Sequence, residues 1–111
     1  MNSVTLIGNL TRDPELRSTQ NGSVCTFTIA VNRPPDKNGQ TATDFPRITT
    51  FGRQAETCGQ YLKKGRTVAV QGRIQTGSYT NKNGDTVYTT DVVANRVEFI
   101  DTGSKEEDGF E

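Results

Sequence analysis

The chain contains no histidine. That removes the commonest general base and the commonest metal ligand from its possible chemistry. Only two cysteines are present, Cys25 and Cys58, too far apart to form a CxxC pair. A zinc site is therefore not expected, and the apolar neighbours of each cast both as small buried hydrophobes. No apolar run approaches the ~20 residues of a membrane-spanning helix. The opening MNSVTLIGNL has no basic region ahead of a long apolar stretch, so no secretory signal is expected. The expectation is a cytoplasmic protein with no membrane partner. Neither a GxxxxGK[ST] phosphate loop nor a GxGxxG fingerprint occurs. The acids are scattered without a convincing pair or metal cluster, and no Ser or Cys has a His to activate it. An enzyme is not expected, nor a cofactor, nor a metal.

What is present fits one domain. The 111 residues can bury one modest core. Net charge is zero, but the average hides an asymmetry. Through Ile100 there are 12 Lys/Arg against 8 Asp/Glu, a body of +4; beyond it one Lys stands against five acids, a tail of −4. A basic body with an acidic tail behaves differently towards polyanions than a uniformly neutral chain.

Along the chain, hydrophobic periodicity marks short strands. Val4–Leu10 is a compact apolar run, followed by turn signals at Asp13-Pro14 and Asn21-Gly22. Val24–Asn32 alternates, with Cys25, Phe27, Ile29 and Val31 on one side and Thr26, Thr28 and Ala30 on the other, as in a half-buried strand. RPPDKNGQTAT, Arg33 to Thr43, carries two prolines and a glycine and predicts a long exposed loop. Asp44–Phe51 predicts a third strand. Arg53–Lys64 predicts the one helix, with Ala55, Cys58 and Leu62 on a single face, Gly59 as a weak point and Gly65 as C-cap. Thr67–Gln75 alternates again, Val68, Val70 and Ile74 opposing Gln71, Arg73 and Gln75, with Gly72 suggesting a bulge. Tyr79–Tyr88 predicts a hairpin about Asn83-Gly84, and Thr89–Ile100 a long last strand. Three strands, a helix and two strands form the arrangement of an OB-fold barrel, all-β and five-stranded, with one short helix between the third and fourth strands. Thr102–Glu111 is Gly, Ser and acids with one aromatic, the composition of a disordered segment. The expected division is a barrel over 1–101 and an acidic tail over 102–111.

The candidate site comes from the third strand. With a period of two, Phe45, Arg47, Thr49 and Phe51 share one side. Two rings and a guanidinium make poor core and a good surface for stacking bases beside phosphates. Tyr79 lies in the polar stretch TGSYTNKNGD and is assigned to the surface; Phe27, with apolar partners along its strand, is assigned to the core. Tyr88 suits either. Arg33, Arg47, Arg53, Lys63, Lys64, Arg66, Arg73 and Lys82 interleave with these aromatics, and single-strand binding needs a phosphate track as well as stacking faces.

The segments SVTLIGNLTRDPELRSTQNGSVCTFTIAVNR, DFPRITTFGRQAE, YLKKGRTVAVQGRIQTGSY and GDTVYTTDVVANRVEFI, long and in order from Met1 to about Asp101, resemble the bacterial single-stranded DNA-binding proteins. The resemblance implies an OB fold, a homotetramer and sequence-independent binding and protection of single-stranded DNA in replication, recombination and repair. It places stacking aromatics at Phe45, Phe51 and Tyr79. It places basic DNA contacts at Arg33, Arg47, Arg53, Lys63, Lys64 and Arg73. Many members carry tryptophan where this chain has Phe45 and Tyr79, and a further aromatic of some members is replaced by the Pro34-Pro35 region. Members often end in a long linker, acids and Ile-Pro-Phe, a tip read by partner proteins. Here KEEDGFE offers Glu106, Glu107, Asp108 and Phe110 for replication and repair proteins, or simply a solvated tail. A rival reading is an OB-fold replication-accessory protein acting mainly through protein contacts.

Overall fold

The computed structural model describes residues 1–100; the acidic tail expected over 102–111 lies outside the described residues. Seven strands and one helix follow in the order β1 (Val4–Leu10), β2 (Glu15–Thr19), β3 (Gly22–Asn32), β4 (Thr43–Asp44), β5 (Arg47–Phe51), α1 (Gly52–Tyr61), β6 (Thr67–Thr80) and β7 (Thr86–Phe99). Five of them close a barrel in the order β1-β6-β7-β5-β3, and β3 returns to β1 where Asn9 and Leu10 oppose Ala30 and Ile29. All barrel pairs are antiparallel except β5–β7. The helix sits between the third and fourth barrel strands, β5 and β6, as the element order predicts.

Alternation builds the core. Cys25, Phe27 and Ile29 of β3 point inward and meet Ile48 of β5, Val68 and Val70 of β6 and Val92 and Ala94 of β7. Ala55 and Cys58 of α1 and Leu62 just past its end cap this set, so the predicted helical face is the buried one. Thr50 is the one buried polar residue among those described, and its hydroxyl donates to the Cys25 carbonyl at 3.0 Å. Both thiols are free and buried, and burial pushes the Cys58 thiol up to about 12. Neither is a nucleophile at neutral pH.

The two longest strands are each 14 residues, continuous through the predicted hairpin. Asn81 Oδ1 accepts the Asn83 and Asp85 amides and shapes the turn, and Gly84 takes its positive φ of 83°. The bulge falls where Gly72 predicts it. Gln71 opposes Arg96, but Gly72 opposes Ala94, so Asn95 is the extra residue. That insertion switches the inward parity of β7, from Val97 to Val92 and Ala94, and keeps both halves facing the core. A Cβ on Gly72 would lie 2.1 Å from the Val93 carbonyl oxygen, so the strands close here only over a glycine.

Several elements differ from the sequence reading. β2 is an extra edge strand on β3, and its five residues are all exposed. The third strand is broken: β4 pairs with Val31 and Asn32, Phe45 and Pro46 leave the ladder, and β5 begins at Arg47. Pro46 has no amide to donate, which ends the pairing there. The loop beginning at Arg33 is exposed as expected but ordered, with Asp36 Oδ1 accepting the Asn38 and Gln40 amides. The helix ends at Tyr61 rather than Lys64, and Gly65 is not its cap. The turn after it is drawn onto β1 and the following loop instead: Gly65 N–H donates to Leu10 C=O, and Lys64 N–H to Asp13 Oδ1 at 2.9 Å. Gly59, the weak point of the helix, has a packing reason, since a Cβ there would lie 2.8 Å from the Leu16 side chain of β2.

Candidate nucleic-acid interface

Residues directly opposite on paired strands point the same way, so the registers trace an outer face across the barrel. Glu15 opposes Thr26, Thr26 opposes Thr49, Thr49 opposes Val93 and Val93 opposes Arg73. This is one continuous row from β2 to β6. On one side of it Arg17, Val24 and Phe51 form a parallel row. On the other, Arg47 stands opposite Thr28. The face runs out along the ribbon through Gln75 and Asp91 to Tyr79 and Val87. Phe51, Arg47, Arg73 and Tyr79 therefore share a surface that crosses the barrel and climbs the hairpin.

The aromatics assigned to the surface are on it. Phe45 is 62% exposed, Phe51 54% and Tyr79 56%, whereas Phe27 is 4% exposed in the core. Tyr88, left open by the sequence, is 81% exposed. It opposes Ser78 and so faces away from Tyr79. Phe45 does not share the face of Arg47. The break at Pro46 turns it into a separate apolar groove of about 430 Å³, lined by Phe45, Pro46, Val31, Leu6, Ile74 and Val92.

Arg47 instead lines an open cavity of about 400 Å³ with Arg12, Arg17, Asp13, Glu15, Thr26, Phe27 and Thr28. Three guanidinium groups there face two carboxylates, one of which, Glu15, takes Arg17 at 3.2 Å. Arg12 and Arg17 are absent from the sequence assignment. The alternation of Glu15, Leu16 and Arg17 was too short to read as a strand without β3 beside it. Lys63 and Lys64, exposed in the turn after α1, are brought close to this cavity through the bond from Lys64 N–H to Asp13. Arg53 is exposed in the first turn of α1, two residues past Phe51. Arg73 donates to Gln75 Oε1 at 3.0 Å on its own strand. Arg33 is held differently from the rest. Its Nε and a terminal nitrogen donate to the two carboxylate oxygens of Asp44 at 3.0 and 2.8 Å. That hydrogen-bonded guanidinium keeps the Asp44 carboxyl below its usual value.

A five-stranded OB barrel that presents Phe51 and Arg47 from its third strand, Arg73 and Tyr79 from its fourth and Arg17 from the edge strand beside its second belongs to a class of oligonucleotide- and oligosaccharide-binding domains. Comparison with known proteins narrows the class. Residues 1–100 match the model of the single-strand binding protein family, and the chain belongs to that family. A single-stranded DNA-binding protein of Clostridium tetani is 44% identical over 98% of this chain and 77% of its own length. One from Staphylococcus aureus is 48% identical over 91% of this chain, which spans 66% of that relative's length. Among solved structures, a Plasmodium falciparum SSB in complex with ssDNA superposes with a TM-score of 0.83 at 28% identity, covering 91% of this chain and 96% of that one.

Proposed function

We propose that the protein binds single-stranded DNA without reading sequence and shields it during replication, recombination and repair, with no catalytic step. The observation that carries this reading is the outer face on which Phe51 and Tyr79 stand exposed among Arg17, Arg47 and Arg73. Bases stack on Phe51 and Tyr79, and on Phe45 at the edge of its groove. Phosphates meet Arg47, Arg73 and Arg53, the Lys63-Lys64 turn, and the newly placed Arg12 and Arg17. Arg33 joins them on terms set by Asp44. Stacking is worth ~1–3 kcal/mol per base and tolerates any base, because every base has a π-face.

The proposal extends to a homotetramer acting in the cytoplasm at the nucleoid. Ile7, exposed in mid-β1 and in register with Ala69, suits a contact between copies. Among the described residues no helix is long and apolar enough to cross a membrane. The tail residues Glu106, Glu107, Asp108 and Phe110 are assigned to partner proteins, and their acids also compete with phosphates for the basic face at the high local concentration of a tethered segment.

One set of titrations tests these statements. Oligo-dT affinity is measured from about 0.05 to about 0.5 M salt, with light scattering on the free and bound protein. If Arg12, Arg17, Arg47 and Arg73 each neutralise one phosphate, log K against log salt falls with a slope of about −3. A flat titration removes the electrostatic half of the mechanism, and a monomeric mass removes the tetramer. The chain truncated after Asp101 binds more tightly at low salt and equally near 0.1 M and above, where the Debye length is below ~10 Å. Equal affinity at low salt excludes the competing role of the tail.

A further inference from the structure

Three ion pairs occur among the described residues. Arg17–Glu15 and Arg96–Glu98 each join residues two apart on one strand. Arg33–Asp44 alone spans a loop, from the residue after β3 to the last of β4, and it alone has both carboxylate oxygens engaged by one guanidinium. It closes the root of the loop between β3 and β4. Arg33 N–H donates to Ala42 C=O, Asp44 opposes Val31, and the Thr43 hydroxyl donates to Asn32 Oδ1 at 3.1 Å. Asp44 is followed directly by Phe45, and both line the apolar groove.

Two facts decide what this pair does. The guanidinium fork fits a carboxylate and a phosphate equally well, so the two anions are alternatives for the same donors. Both side chains are more than half exposed, and exposed pairs are held weakly. We propose that Asp44 is an affinity-setting residue of the single-strand interface: it occupies Arg33 until a phosphate displaces it, so Arg33 counts for less than a free cation in binding. The inference rests on the DNA-binding reading above. In the fraction of complexes where Asp44 keeps it, Arg33 neutralises no phosphate and releases no counterions, so the wild-type slope counts it only in part. Strand entry beside Phe45 exchanges one anion for another rather than pairing a bare charge.

Asp44→Asn tests this, since it keeps the shape and one acceptor and removes the charge. Oligo-dT is titrated over salt with the wild type, Asp44→Asn, Arg33→Gln and the double variant, after thermal melting confirms that each is folded. Asp44→Ser replaces the Asn variant if the latter melts early. The expected result is a several-fold tighter Kd for Asp44→Asn near 0.1 M salt, with the salt slope steeper by up to about 0.7, the value of one further phosphate on a single strand. In the Arg33→Gln background the same substitution leaves the slope unaltered. An unchanged slope for Asp44→Asn, or weaker binding by the folded variant, overturns the proposal. So does a steepening that persists without Arg33, which would mean Asp44 acts only through the general field. A wild type that fails to bind oligo-dT sinks the DNA-binding reading itself, and is distinguishable from these outcomes.

Discussion

Phe51→Ala lowers affinity for oligo-dT about 5- to 150-fold and leaves the melting temperature nearly unchanged. The range is the ~1–3 kcal/mol lost when one stacked base loses its ring, converted at 1.4 kcal/mol per tenfold. Stability is spared because Phe51 is on the outer side of β5, paired with Val24 and flanking Arg17 one strand further on, and more than half exposed. Tyr79→Ala behaves in the same way from the hairpin arm. Phe27→Ala is the opposite case, since its ring fills the barrel between β3 and β5, and costs ~3–5 kcal/mol of stability. Filter binding or anisotropy gives the affinities, and thermal melting the stabilities. A large drop in Tm for Phe51→Ala would invert the assignment of the two faces.

Gly72→Ala destabilises the barrel by about 3 kcal/mol, the upper end for an overpacked core position. The added carbon would meet backbone: the Val93 carbonyl oxygen at 2.1 Å and the Ala94 Cα at 2.8 Å. No rotamer change relieves a clash with main chain, so β7 must shift away from the bulge that sets its inward parity. A Tm lower by about 12–24 °C follows for a domain of this size. Gly77→Ala, further out on β6, is the control. Its Cβ would approach only the Thr89 hydroxyl, at 3.3 Å, and a side chain can turn aside. Equal Tm values for the two variants would show that Gly72 is not where the barrel closes.

The sequence discloses whatever is written in its alternation. Val24–Asn32 is legible because one side of it is core, and the Gly72 bulge because a glycine inside a strand has few other reasons. β2 is illegible because all five of its residues are exposed and Leu16, set beside Gly59 of α1, is its one apolar residue and sets no phase alone. Arg12 and Arg17 are missed for the same reason, since only pairing with β3 brings them beside Arg47. The shared side assigned to Phe45 and Arg47 fails at a residue that was in plain view. Pro46 cannot donate to a ladder, and period two does not carry across it. The helix end differs from the periodicity because Gly65 answers to Leu10, a partner 55 positions earlier in the chain. The exposure of Phe51 and Arg47, by contrast, is legible in local alternation, and that of Tyr79 in the polarity of its hairpin. What pairing adds is their order on the surface.

The chain has no tryptophan, so light absorbed beyond the phenylalanine band is emitted by Tyr61, Tyr79 and Tyr88. The ribbon sorts the last two optically, because Tyr79 looks onto the proposed DNA face and Tyr88 looks away from it. Tyr61 stands apart at the end of α1. A base laid on Tyr79 darkens one emitter of three and leaves the others as internal standards. The unlabelled protein thus carries its own fluorimeter for strand occupancy, and Tyr79→Phe is the change that switches the signal off while keeping a ring to stack on.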